Sequence, residues 1–117
     1  NPEIVVTMEF HDADFAFTLF VEVPDETIGM PVPARWGGGN RHVNSYLLAV
    51  ETDGTEHYLQ GTGGWFAARY ADDTDEVVKL DAWALTFDEA YDRYTDGNLR
   101  ATIDSVSETT PVVNTGD

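Results

Sequence analysis

Apolar and polar residues alternate with period two along most of the chain. From Glu3 to His11, Ile4, Val6, Met8 and Phe10 share one face while Val5, Thr7, Glu9 and His11 share the other, the pattern of a half-buried strand. Asp12 and Ala13 lead into Asp14–Val23, where Phe15, Phe17, Leu19, Val21 and Val23 fall on one side. The two segments predict an N-terminal hairpin. Phe20 falls on the more polar face, which predicts partial cover there. A second hairpin spans Val43–Gln60 around Asp53-Gly54. Its first strand carries Tyr46, Leu48 and Val50 on one face and Val43, Leu47 and Ala49 on the other, so both faces are apolar and a central place in the sheet is expected.

Around that hairpin lie two glycine-rich segments, Gly37-Gly38-Gly39 and Gly61-Thr62-Gly63-Gly64. Antiparallel strands begin and end together, so these segments are expected near each other at the hairpin's open end. After them, Trp65–Ala71 reads as a short strand, Asp72–Asp75 as an acidic turn and Glu76–Leu85 as another strand. Thr86 then opens a predicted helix, because Thr86 and Glu89 have capping-box spacing. Phe87, Ala90, Tyr91 and Tyr94 supply an i, i+3, i+4, i+7 stripe, and Asp96-Gly97-Asn98 a stop. Leu99–Val106 returns to period two, and residues 107–117 read as a polar tail. The expected architecture is one domain over residues 1–106, an α+β fold. It is mainly antiparallel β-sheet of about six to seven strands with one C-terminal-half α-helix packed on the sheet.

Prolines 24, 31 and 33 interrupt the pattern across Pro24–His42. Pro31-Val32-Pro33 is expected to be extended and unpaired, because proline cannot donate to a ladder. The segment is long for a connection in a compact domain, and such loops are commonly functional. It also concentrates Arg35, Trp36, Arg41 and His42 in a chain with only 6 Lys and Arg.

Charge changes the picture most. The 22 Asp and Glu give a formal net charge of −16 and a pI near 4.1, about one net charge per 400 Å² of a folded monomer's surface. A field of that sign attracts cationic partners and repels nucleic acid and anionic membranes. Adaptation to high salt, a high-GC coding bias and selection for a basic partner each account for it. The three differ in what salt should do to stability. With no cysteine, disulfides and thiolate zinc sites are excluded. No apolar run reaches the length of a membrane-spanning helix. Asn1 in place of Met reads as a processed or trimmed terminus.

Motifs for specific chemistry are weak. His11, Asp12 and Asp14 are metal-ligand types, but their place in a hairpin connection favours an Asx turn. Asp72, Asp73, Asp75 and Glu76 lack the ligand spacing and central glycine of an EF-hand loop. Gly61–Gly64 matches neither a P-loop nor a dinucleotide fingerprint. Ser45 lies three residues after His42, so on a strand the two side chains diverge, and neither a nucleophile elbow nor an HExxH is present.

No catalytic set, cofactor or metal is therefore assigned. The expected function is that of a non-enzymatic acidic binding protein, soluble and cytoplasmic, that inhibits or imitates nucleic acid toward a basic, nucleic-acid-binding protein. It contacts neither nucleic acid nor membrane directly. The expected binding residues are the cationic and aromatic group Arg35, Trp36, Arg41, His42 and Trp65, together with the acidic turn Asp72, Asp73, Asp75 and Glu76. Two alternatives are a virion or surface-layer assembly subunit from a halophilic or high-GC source, and a small-ligand or enzyme domain at the open end of the 43–60 hairpin.

Overall fold

A computed structural model describes residues 3–24, 27–35, 44–74, 76–91, 93 and 97–111. Its strands are β1 (Glu3–His11), β2 (Phe15–Pro24), β3 (Pro31–Pro33), β4 (Asn44–Glu51), β5 (Glu56–Tyr70), β6 (Val77–Glu89) and β7 (Arg100–Pro111). All join one antiparallel sheet in the order β1-β2-β4-β5-β6-β7, with β3 added on β5. The sheet curls into a half-barrel. Across its open seam, Met8 and Phe10 of β1 and Ile103 and Val106 of β7 line a groove of about 310 Å³.

The first hairpin forms as the alternation predicts, with Met8 opposite Leu19. Asp12 Oδ1 accepts the backbone N–H groups of Asp14 and Phe15, both at 2.8 Å, which is the Asx-type closure of the turn. The central hairpin pairs Leu47 with Leu59 and Ala49 with His57. Its strand β4 lies between β2 and β5, as its two apolar faces require. On the outer face Phe20 stacks on Tyr46 at 4.7 Å, which covers Phe20. Burial raises the Tyr46 hydroxyl above its ordinary pKa, with Glu22 and Tyr58 adding to the effect.

Three expectations are corrected. The Gly61–Gly64 segment does not end a strand: β5 runs through it without a break, from Glu56 to Tyr70. Pro31–Pro33 is extended but paired, with Val32 opposite Phe66. It adds to the edge of β5 beyond the point where β4 stops, a position proline tolerates because an edge strand need not donate on both sides.

The third correction concerns fold class: the described residues contain no α-helix, and the predicted helix start belongs to β6. Thr86 pairs with Thr102 and Phe87 with Ala101. Phe87 and Glu89 face the core, whereas Tyr91, on the expected apolar stripe, is 80% exposed. Helix propensity is a weak prior for Leu85-Thr86-Phe87, and the β-branched and aromatic residues of this stretch pair on both sides within a half-built sheet. Strand β7 also continues past Val106 to Pro111, which pairs with Val77.

Two compensating irregularities shape the sheet. Between Gly61 and Gly63 one extra residue enters β5, and between Gly63 and Trp65 one extra residue enters β6, so the register is restored beyond them. Each insertion reverses which side chains face inward. On β5 the buried residues change from Leu59 and Gly61 to Phe66 and Ala68; on β6 they change from Val78, Leu80 and Ala82 to Leu85, Phe87 and Glu89. Gly64 takes φ 115° and Ala84 takes φ 56° at this crossing. A Cβ on Gly64 would lie 2.8 Å from the Ala84 carbonyl oxygen, so glycine is required there by both conformation and contact.

Candidate functional site

Charged side chains meet inside the sheet, and acidic ones collect at one of its ends. Inside, His57 faces the core because it pairs with Ala49, and Glu89 does so because it pairs with Leu59. Glu51 closes β4 beside Phe15. His57 Nδ1 lies 2.5 Å from Glu89 Oε2 and His57 Nε2 2.8 Å from Glu51 Oε2. Phe15 meets the imidazole edge-on at 6.1 Å. The second oxygen of Glu89 accepts the Leu99 backbone N–H at 3.1 Å, and the Glu89 N–H donates to the Leu99 carbonyl at 2.8 Å.

With a carboxylate on each nitrogen, the protonated ring donates two charge-assisted hydrogen bonds. Hydrogen bonds to Glu51 and Glu89 hold the His57 pKa above its ordinary value against the opposing effect of burial. Glu89 is 3% exposed and His57 18%, so the pair is sheltered; Glu51, at 42%, is the solvent-side partner. Neither imidazole nitrogen presents a free lone pair. The cluster therefore favours the protonated ring and ties β4, β5, β6 and the residue preceding β7 together. Among the described residues, no group of three His, Asp or Glu is arranged to hold a metal ion.

The end of the sheet beside this cluster is acidic. The β1–β2 turn brings Asp12 and Asp14, and the β4–β5 turn brings Asp53 and Glu56, all exposed. Because Phe15 pairs with Glu51, the two turns are neighbours. Asp53 Oδ1 accepts the Thr55 N–H at 2.9 Å, and that bond holds its carboxyl below the ordinary range. Asp12 and Asp53 are thus fixed by backbone donors, so this end presents charges at set positions.

Of the expected binding residues that the structure describes, Arg35 and Trp65 lie near one another, apart from the acidic turn. Arg35 is exposed at the end of β3, where the Ala34 N–H bonds the Gly64 carbonyl at 3.0 Å. Trp65 is 45% exposed on the outer face. Asp72, Asp73 and Glu76 lie exposed in the β5–β6 turn, at the opposite end from Asp12 and Asp53; Asp72 Oδ1 accepts the Thr74 N–H at 2.9 Å. Trp36, Arg41, His42 and Asp75, with Gly37–Gly39, lie outside the described residues.

The Glu51–His57–Glu89 cluster was not legible in advance, since Glu89 reads as a helix cap until β6 is placed. The available signal was the inward phase shared by Leu85, Phe87 and Glu89. Comparison with protein-family models, curated proteins and solved structures finds no match to this chain. No helix among the described residues is long and apolar enough to cross a membrane.

Proposed function

We propose that the chain is a non-enzymatic acidic binding protein whose carboxylate-rich end engages a basic, nucleic-acid-binding protein and blocks it by imitating phosphate charge. The observation that carries this reading is the convergence of Asp12, Asp14, Asp53 and Glu56 on adjacent turns of a chain with a net charge of −16. Carboxylates held by backbone N–H groups are ordered before a partner arrives, which lowers the entropic cost of binding. The long-range field accelerates encounter with cations.

The test is a pull-down from lysate at about 0.1 M and about 1 M salt, where the Debye length falls from roughly 10 Å to 3 Å. Basic proteins should be retained at the lower salt, released at the higher, and lost when Asp12, Asp14 and Asp53 become Asn and Glu56 becomes Gln. Retention of no basic protein at about 0.1 M sinks the proposal.

A second reading, an assembly subunit, is favoured by the two sheet edges. Among the described residues β1 pairs only with β2 and β7 only with β6, and strand edges of this kind invite pairing with another chain. Light scattering over a range of concentrations separates the readings, since a strict monomer excludes self-assembly.

A further inference from the structure

On the outer face, beyond the irregular crossing, the sheet carries chemistry of the opposite sign to the rest of the surface. Trp65 and Trp83 are directly opposed across β5 and β6 and remain 45% and 37% exposed. Two residues further along β5 and back along β6, Ala67 faces Asp81; two further again, Arg69 faces Lys79. Arg35 follows β3 at the tryptophan end, two residues past the pairing of Pro33 with Trp65. Three of the chain's 6 Lys and Arg therefore bracket one tryptophan pair, with Asp81 as the carboxylate among them.

Like charges directly opposite one another destabilise a ladder. Here Arg69 and Lys79 face each other in a protein with carboxylates in excess, and among the described residues neither meets a carboxylate within 4.0 Å. Without the two insertions at the crossing, Trp65 and Trp83 would keep the inward phase of Leu59 and Phe87. The backbone at Ala84, with φ 56°, adjoins Trp83 and belongs to the geometry that turns both indoles outward. Beside the platform, Arg69 and Asp81 line a cavity of about 120 Å³ with Pro31 and Ala67, large enough for a polar substituent together with water.

We propose that this face is a binding site for an acidic carbohydrate, a chain of sugar rings bearing carboxylates. The apolar faces of the rings lie on Trp65 and Trp83, a sugar carboxylate is received between Arg69 and Lys79, and Asp81 accepts hydrogen bonds from hydroxyls. Aromatic faces provide broad apolar contact of defined geometry, and the cation pair supplies charge-assisted hydrogen bonds. The acidic remainder of the protein does not forbid this: at physiological salt the Debye length is roughly 8 Å, so the local cations govern contact. A carboxylate between Arg69 and Lys79 also removes their mutual repulsion. The site is separate from the acidic end and stands or falls independently of the basic-partner reading.

The experiment is calorimetric titration of the whole chain with a linear uronic-acid tetrasaccharide and with a neutral hexose tetrasaccharide, accompanied by tryptophan fluorescence. The acidic sugar should bind with a blue shift, and the neutral one about tenfold more weakly, the value of a hydrogen bond to a charged group. Trp65→Ala with Trp83→Ala should abolish binding of both. Arg69→Gln with Lys79→Gln should reduce the acidic sugar to the level of the neutral one. Should the double tryptophan variant unfold, Trp65→Phe with Trp83→Phe keeps a ring and should weaken binding about tenfold or less while preserving the preference for acid. No heat with the uronic tetrasaccharide at millimolar concentration, binding unaffected by the tryptophan changes, or tighter binding of a single-stranded oligonucleotide at the same residues overturns the proposal.

Discussion

Two clusters of charge on the same strands behave in opposite ways. On the core side of β5, His57 meets a carboxylate at each ring nitrogen, and every strong donor in the group has an acceptor. On the outer side of the same strand, Arg69 faces Lys79 beside two half-exposed tryptophans. The first arrangement is complete without a ligand, so its energetics belong to folding. The second sets like charges face to face beside exposed aromatic area, the features on which the proposed sugar site rests. Polar groups inside a protein are satisfied because leaving them unpaired is costly; where exposed groups repel instead, a partner is the economical explanation.

The largest test of this contrast removes the anchor of the satisfied cluster. Glu89→Ala leaves His57 and the Leu99 N–H without their acceptor in a sheltered site. Urea denaturation should show a loss of about 3 kcal/mol. By comparison, Glu51→Ala should lose less than about 1 kcal/mol, because its carboxylate is 42% exposed and water screens the pair. Equal losses would show that the cluster is not organised around Glu89.

Gly64→Ala attacks the crossing that separates the two clusters. It combines a left-handed φ with backbone contact at 2.8 Å, and a loss of about 2 kcal/mol or more is expected in the same assay. Tryptophan fluorescence should report greater burial if the outward turn of Trp65 and Trp83 depends on this glycine; an unchanged emission maximum in the folded variant would disconnect the crossing from the platform.

A pH series sharpens the picture of the His57 cluster. The folded His57 pKa is raised, so its contribution to stability is fully present below the unfolded value of about 6.5 and is lost as pH rises through the folded value. Stability should decline from mildly acidic toward alkaline pH in the parent chain, and His57→Gln should flatten that slope. A slope unchanged by the substitution would place the titration elsewhere.

The smallest effect concerns Ser45, 1% exposed, whose hydroxyl has no hydrogen-bond partner among the described residues. Ser45→Ala should stabilise the protein by about 1 kcal/mol, raising the urea midpoint. A loss of stability would mean that the hydroxyl is satisfied. The neighbouring Gly61 accepts no side chain, since its Cβ would approach the Ser45 hydroxyl and lie 2.8 Å from the Ser45 carbonyl oxygen.

Much of the fold was legible in the text of the chain, for a local reason. Glu3–His11 and Asp14–Val23 show a constant period-two phase, and each needs only its neighbour across a short turn. Val43–Gln60 is likewise closed by Asp53-Gly54, with Gly54 at φ 92°. The failure at Thr86–Glu89 is equally instructive. The same Thr-x-x-Glu spacing that caps a helix places Thr86 outward and Glu89 inward on a strand, and the apolar phase change from Ala82 to Leu85 resembles a helical step when read along one chain. What makes it a strand is pairing with β5 and β7 on either side, information held in segments distant along the chain.

The candidate sites divide in the same manner. Residue types alone singled out Trp65 and Arg35 and the excess of carboxylates, because exposed aromatics, scarce cations and net charge are properties of composition. Which of them meet was decided by register. Trp65 is matched with Trp83 across β5 and β6. His57 is matched with Glu89 across the sheet, and Asp12 shares an end with Asp53 because Phe15 pairs with Glu51. Alternation along the chain determines that strands form and which residues are able to face inward. The phase of each half of β5 and β6, and hence whether a tryptophan lies in the core or in water, depends on one inserted residue per strand and on a backbone contact at Gly64 that exists only when both strands are in place.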